Sequence, residues 1–410
     1  AAAQATLEEI TATPGKAGGI YYAYPVDQSL NTPAPKGFKP FYVSHYGRHG
    51  SRYLISDRDY AAVRDLFREA DAAGALTPLG QDVLTRLDSV WIEAEGRGGE
   101  LTPLGVRQHQ GIGSRMADSF PEAFAGDDAR VTAASTTVMR CAHSMYSFLE
   151  GLKSRFPQLD IPRESSNRNM YYLNYHSPES GPYSSDKGEW YLDWKKFRSE
   201  KTDPDRLVCS LFCDSTFIRR HVDPVELMWG LYWIAVDMQN METRIDFFDL
   251  FTPQELFDLW QVFNFNFYAC NSNYPGAKGL HVDNAKNLLR NIVETADSYI
   301  AAGDHGATLR FGHDGNLIPL AALMRLDGTY AAESDPYELH KVYSDFKISP
   351  MAGNIQIVFF KDKKGDVIVK FMLNEREIAI PAPTDIYPFY RWDDARKVLM
   401  QAVETPFSSL

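Results

Sequence analysis

The sequence predicts an α/β fold, a mostly parallel sheet flanked by helices, with an α-helical cap inserted into it. Three observations carry that reading. Residues 41–44 and 307–311 are short, largely apolar runs that lead into glycine-bounded polar loops, Gly47-Arg48-His49-Gly50-Ser51-Arg52 and Gly312-His313-Asp314-Gly315-Asn316. Short apolar runs bounded by turn residues read as buried strands, and open α/β sheets place ligands at such strand ends. Between the two lie residues 157–301, where aromatic-rich stretches at 225–241, 253–268 and 282–301 have helical spacing and no convincing strand. The chain thus divides into a discontinuous α/β core, residues 1–156 and 302–410, and a mainly α-helical cap, residues 157–301.

After a lead-in punctuated by proline and glycine (14–40), the 41–44 strand opens the core. Two segments follow with the same opening, Leu76-Thr77-Pro78-Leu79-Gly80 and Leu101-Thr102-Pro103-Leu104-Gly105. In each the threonine can cap a helix whose first residue is proline, because the N–H that proline lacks would be unsatisfied there anyway. They lie 25 residues apart and read as a reused cap, not a solenoid repeat. Residues 130–135 form a second core strand and 136–156 the helix after it. Asn, Ser, Tyr and Pro crowd 165–185, near the start of the cap. Beyond the 307–311 strand comes an apolar helix at 317–326. Residues 355–360 and 367–373 then flank Lys361-Asp362-Lys363-Lys364-Gly365-Asp366 as an antiparallel hairpin with a glycine turn.

The chain has 410 residues, 44% of them apolar and 13% aromatic, enough to build a sizeable core. It carries 42 Lys and Arg against 54 Asp and Glu, a net charge of −12, which offers no general field to a nucleic-acid backbone. No run approaches the roughly 18 uncharged apolar residues of a membrane-spanning helix, since the most apolar segment, 225–236, contains Glu226. The sequence begins Ala1-Ala2-Ala3-Gln4, without an initiator methionine, so a periplasmic or secreted protein with its signal peptide removed is expected. The four cysteines (Cys141, Cys209, Cys213, Cys270) neither demand nor exclude disulfides, and export would allow Cys209 and Cys213 to pair.

The densest chemical constellation is Arg48-His49-Gly50-Ser51-Arg52. Two guanidinium forks beside one imidazole describe a phosphate cradle around a nucleophile, since arginine's fixed donors match phosphate oxygens in bidentate fashion. The neighbouring positive charges also disfavour imidazolium and keep the ring able to attack phosphorus at acid pH. Read blandly, the same pentapeptide is a basic surface turn. Asp314, after the second strand, is the candidate acid for protonating a departing alkoxide; its bland reading is a cap for the helix near Leu317. Arg140 could add a third fork. His45 could line the pocket, although a strand-end histidine bonded to backbone is the simpler role.

Rival chemistries fit less well. Cys213 and Arg219 have the C-x5-R spacing of cysteine phosphatases, but the residues between them include no glycine and begin with Asp214, which would raise the thiol's pKa. The chain has no P-loop, no G-x-S-x-G elbow and no H-E-x-x-H helix. The remaining histidines show no metal-ligand spacing, so neither a metal nor another cofactor is implied.

At these residues the chain resembles a known family. Arg48-His49-Gly50-Ser51-Arg52 is similar to the R-H-G-x-R signature of the histidine acid phosphatases, a branch of the histidine phosphatase superfamily, and Gly312-His313-Asp314-Gly315-Asn316 resembles the late H-D motif of its phytase members. Leu101-Thr102-Pro103-Leu104-Gly105 with Gln108 resembles the family's L-T-P-x-G-x-x-Q helix start. Arg140, Ser144 and the segment 148–152 follow in the family's order, as does the hairpin 354–381. The first half is most like multiple inositol polyphosphate phosphatases, through Arg52-Tyr53 and both Leu-Thr-Pro-Leu-Gly starts. Two departures stand out: those enzymes typically carry H-A-E where His313-Asp314 stands, and the proline after their first motif is Leu54 here.

The resemblance implies a phosphoglycerate-mutase-like α/β core with an inserted cap. It also implies that His49 forms a phosphohistidine, that Arg48, Arg52, Arg140 and His313 bind the phosphate, and that Asp314 protonates the leaving oxygen, with no metal. The expected function is an acid phosphomonoesterase acting on small phosphate esters, inositol polyphosphates such as phytate foremost. A broad or sugar-phosphate phosphatase, a mutase and a binding protein without turnover are the alternatives.

Overall fold

The computed structural model describes residues 2–26 and 31–410; residue 1 and residues 27–30 of the lead-in lie outside the described residues. The sheet is built around β1 (Lys39–Arg48), buried from Phe41 to its end. Apolar side chains on both faces of β1 suit a strand covered by helices on each side. On one edge β1 pairs in parallel with β4 (Gly306–Gly312), which pairs in parallel with β2 (Arg130–Ser135), and β2 with the two-residue β3 (Arg163–Glu164). On the other edge β1 pairs antiparallel with β5 (Asn354–Lys361), and β5 with β6 (Val367–Leu373). β7 (Arg376–Ile378) and β8 (Phe389–Arg391) both pair antiparallel with β6. Thus β3, β2, β4, β1 and β6 run one way and β5, β7 and β8 the other. Strand β3 is an addition to the expected architecture, since both its residues are exposed and polar and carry no period-two signal.

Register puts the two predicted loops side by side. Gly47 lies opposite Phe311 and Arg48 opposite Gly312 in the parallel β1–β4 ladder, so both strands end at the same height. The His49 N–H donates to Gly312 O at 3.0 Å, tying one loop to the other.

One face of the sheet packs Val43, Val131, Leu309 and Phe311 against the helices Pro103–Ser119 and Met139–Arg155. The other packs Tyr42, Tyr46, Ile357 and Phe359 against Lys286–Ala302, Asp314–Leu323 and Trp392–Glu404. A separate apolar cluster joins Tyr60, Phe67 and Leu87 of the helices Asp57–Ala72 and Pro78–Ala94 to Trp229, Tyr232 and Trp260 of the helices Pro224–Asp237 and Pro253–Asn271. Both Leu-Thr-Pro-Leu-Gly starts behave as their chemistry predicts: Thr77 and Thr102 accept from the N–H of Gly80 and Gly105, with proline in the first turn.

The helix after β4 begins at Asp314, earlier than its apolar spacing suggests. Its first turn is Asp314-Gly315-Asn316, polar residues that apolar periodicity cannot register. The carboxylate sits where the helix dipole favours negative charge. All four cysteines are free thiols, so Cys209 and Cys213 do not pair. Among the described residues no helix is long and apolar enough to cross a membrane.

Candidate active site

The end of β1 is held by bonds that leave its side chains free for chemistry. The Arg48 N–H donates to Gly353 O at 2.7 Å, and Ala352 donates to His49 O at 2.9 Å. The loop then presses against the start of the Pro103–Ser119 helix. A Cβ on Gly50 would come within 2.7 Å of Gly105 O, and one on Gly105 within 2.5 Å of Ser51 O, so each glycine is required by the other segment's backbone. Thr102 N–H and Oγ1 both donate to Ser51 O, and the Ser51 N–H donates to Gln108 Oε1 at 2.8 Å. The Gly50 N–H donates to Ser144 Oγ, whose own hydroxyl donates to Arg140 O at 2.7 Å. The loop and the helix bearing Arg140 are therefore one hydrogen-bonded unit.

His49 is buried, and its Nδ1 lies 2.8 Å from Gly50 O. A carbonyl oxygen can only accept, so this contact assigns the proton to Nδ1 and leaves the lone pair on Nε2. Burial first, then the charges of Arg48, Arg52 and Arg140, hold the imidazole pKa well below its ordinary value. The ring is neutral and nucleophilic down to acid pH.

The sequence-predicted arginines converge on it. Arg48 is fully buried, with Nη1 donating to Ser349 O at 3.0 Å and to Ile20 O, and its Nη2 lies 3.1 Å from Asp314 Oδ2. Arg52 donates to Tyr53 O and to Tyr21 Oη, and its guanidinium lies 5.0 Å from the Tyr21 ring centre. Arg140 donates to Gly99 O at 3.3 Å. The Nε atoms of Arg48, Arg52 and Arg140 are buried and make no hydrogen bond within the protein. Buried donors are ordinarily partnered, so three such guanidinium groups around one imidazole are poised for an anion.

From β4, His313 comes within a ring-centre distance of 6.0 Å of His49. Its Nε2 lies 3.1 Å from Thr136 Oγ1 and 3.6 Å from Cys141 Sγ. Burial lowers the His313 pKa, and Arg140 and Arg48 push the same way. Burial alone would raise Asp314, but Arg48, then His313 and Arg52, outweigh it, so its pKa is lowered and it is a carboxylate in the free protein. Its Oδ1 accepts the Gly315 N–H at 2.7 Å. The bland reading of Asp314 as a cap for a helix near Leu317 does not hold, since the helix already starts at Asp314 and its carboxylate pairs with Arg48.

Arg48, His49, Arg52, Arg140, His313 and Asp314 thus meet in one place. His45 does not join them: it is buried between Phe148 and Phe311, and burial holds it neutral. Cys213 is exposed, and Asp214 beside it caps the Ser215–His221 helix, which leaves no nest for phosphate.

Sequence reasoning passed over several supports. Tyr21, in the lead-in, underlies Arg52. Ser51 Oγ donates to Asn240 Oδ1 at 2.6 Å, and Asn240 donates to Tyr21 O at 2.8 Å. Asp237, raised to about 7 by burial, accepts from Tyr60 Oη and from Asn240. Thr136 follows β2 directly, and the strand-end rule applied to that third strand would have found it.

No protein-family model and no curated protein matches the chain. Solved structures do. A multiple inositol polyphosphate phosphatase from Bifidobacterium longum, in complex with inositol hexasulfate, superposes with a TM-score of 0.75 at 18% identity, covering 94% of this chain and 97% of that one. The fold is that of the histidine acid phosphatases. A D. castellii phytase has the same histidine acid phosphatase fold, with a TM-score of 0.65 at 15% identity over 95% of this chain and 85% of that one. A Hafnia alvei phytase gives 0.55 at 14% identity over 92% and 100%.

Proposed function

We propose that the chain is an acid phosphomonoesterase working through a phosphohistidine intermediate, with inositol polyphosphates such as phytate as its substrate class. The observation that carries this is the neutral His49, its Nε2 free, ringed by three arginines with unpartnered buried donors. The superposed Bifidobacterium longum protein, solved with inositol hexasulfate and with phosphate, supports the substrate class.

In the proposed reaction the phosphate of the ester lies among Arg48, Arg52, Arg140 and His313. His49 Nε2 forms a bond to phosphorus as the ester P–O bond breaks, and the leaving oxygen takes a proton from Asp314. Water then attacks the phosphohistidine, giving its proton back to Asp314, and His49 is released with inorganic phosphate. Phosphoryl transfer demands mainly placement and charge stabilisation, which the arginines supply. A binding protein without turnover would need neither Asp314 beside the cradle nor a free imidazole nitrogen. The direct experiment is phosphate release from a panel of monoesters at acid pH.

The charge on Asp314 makes a pH prediction. In the free protein Arg48 holds the acid deprotonated, but a bound phosphate ester brings negative charge beside it and offsets the arginines, which raises its pKa. Protonated Asp314 is therefore more abundant in the complex. The alkaline limb of the kcat profile, which reports the complex, should lie at higher pH than that of kcat/KM, which reports free protein and free substrate. Coincident limbs, or the reverse order, would count against Asp314 as the acid.

A further inference from the structure

On its acid side the phosphate cradle meets a segment of the cap. Residues 174–177, Asn174-Tyr175-His176-Ser177, follow the short helix Met170–Leu173 and lie beside the start of the Asp314–Leu323 helix. Three bonds hold the segment there through its backbone. Tyr46 Oη donates to Leu173 O at 2.8 Å, Asn316 Nδ2 donates to Tyr175 O at 3.0 Å, and the Ser177 N–H donates to Asn284 Oδ1 at 2.8 Å. Tyr46 lies on the strand that leads to Arg48 and His49, and Asn316 on the helix that starts at Asp314, so the segment is fixed to the frame of the cradle itself.

His176 is exposed, with its ring against Gly315, the neighbour of Asp314: a Cβ on that glycine would stand 3.3 Å from His176 Cε1 and 3.7 Å from its Nε2. Nε2 lies 3.2 Å from Asn174 Oδ1, which accepts, so the proton of the neutral ring is on Nε2 and Nδ1 is free for a ligand. The surrounding protein lowers the His176 pKa by desolvation, while the Asp314 carboxylate opposes the shift. His313 and His281, its titratable neighbours, are each lowered to about 4, chiefly by burial, so above that pH neither adds a competing charge. A phosphate brought beside Nδ1 raises the His176 pKa and receives a charge-assisted hydrogen bond from the imidazolium.

In the proposed reaction the leaving oxygen takes its proton from Asp314, so the ring of an inositol phosphate lies on the Asp314 side of the cradle, where His176 stands. The phosphates on the carbons next to the scissile ester are then the anions closest to that imidazole. We infer that His176 binds one of these second phosphates and so favours polyphosphorylated inositols over monoesters. This inference rests on the phosphatase reading of the site and adds to it a specificity-determining residue supplied by the cap.

The test compares the wild-type protein, His176→Ala and His176→Lys at one acid pH. The bonds that hold the segment do not involve the imidazole, so both variants should fold. In His176→Ala the ratio of kcat/KM for inositol hexakisphosphate to that for inositol 1-phosphate should fall by about tenfold, mainly through KM, the size expected for one charge-assisted hydrogen bond. Both esters leave as alkoxides, so the contribution of Asp314 cancels in the ratio. His176→Lys, which keeps a cationic donor, should retain most of it. Titration calorimetry with inositol hexakissulfate, a polyanion without phosphorus, should show a weakening of the same size in His176→Ala, with far less change for inorganic phosphate. An equal loss on both esters would make His176 a support for Asp314, and no change on either would make it a bystander; each result overturns the inference and leaves the phosphatase reading standing. Absence of phosphate release from both esters in the wild type overturns that reading, and the calorimetry then decides by itself whether His176 holds an anion.

Discussion

Replacing His49 by alanine should reduce phosphate release by roughly 10⁵- to 10⁶-fold, the scale seen when a covalent nucleophile is removed from an otherwise intact site. The reasons are local. The ring makes one hydrogen bond, from Nδ1 to the neighbouring Gly50 O, while the fixing of the loop depends on backbone bonds to Gly312, Gly353 and Ala352 and on the Gly50–Gly105 approach. None of those is lost in His49→Ala. The variant should therefore fold and keep its arginine cradle, and it should still bind inorganic phosphate, measurable by titration calorimetry. Loss of turnover with retained phosphate binding separates a nucleophile from a structural residue. Full activity in the variant would end the proposed mechanism.

The second large effect belongs to Asp314→Asn, and its size should depend on the leaving group. For an alkyl ester such as an inositol phosphate the departing alkoxide is strongly basic, and losing the acid should lower kcat/KM by roughly 10³-fold. For 4-nitrophenyl phosphate, whose phenolate leaves without a proton, kcat/KM should fall by less than about tenfold. The second half of the reaction still lacks its base, so a burst of nitrophenolate followed by slow turnover should appear with the aryl ester. Removing a carboxylate that stands 3.1 Å from Arg48 Nη2 also relieves repulsion of the incoming phosphate, and inorganic phosphate should bind more tightly. Equal losses with both esters and no burst would make Asp314 a structural partner of Arg48 only.

Much of the site was legible because its chemistry is carried by residue types that strand ends expose. Two apolar runs closing on Arg48-His49 and His313-Asp314 announced a ligand end of the sheet, and the parallel β1–β4 register then set Arg48 opposite Gly312. The Thr102 cap and Gly105 were legible as a helix start, while the reason for Gly105, contact with Ser51 O, belongs to tertiary structure alone. Less legible were elements without local pattern. β3 pairs through two exposed residues, and the first turn of the helix at Asp314 is polar, so periodicity misses both. Tyr21 and Asn240 were silent because their roles arise from partners 31 and 189 residues away, Arg52 and Ser51. The aromatic richness of 225–268 was visible, but that Trp233 and Phe263 lie beside Tyr21 depends on how those helices pack.

The central claim, that the phosphoryl group passes through His49, is tested most directly by the stereochemical course at phosphorus. A phosphorothioate monoester made chiral with two oxygen isotopes is hydrolysed in water carrying the third, and the configuration of the released thiophosphate is read. Each in-line displacement inverts phosphorus, so transfer to His49 Nε2 followed by transfer to water predicts overall retention. Inversion would mean that water attacks the ester directly, and it would contradict a phosphohistidine intermediate.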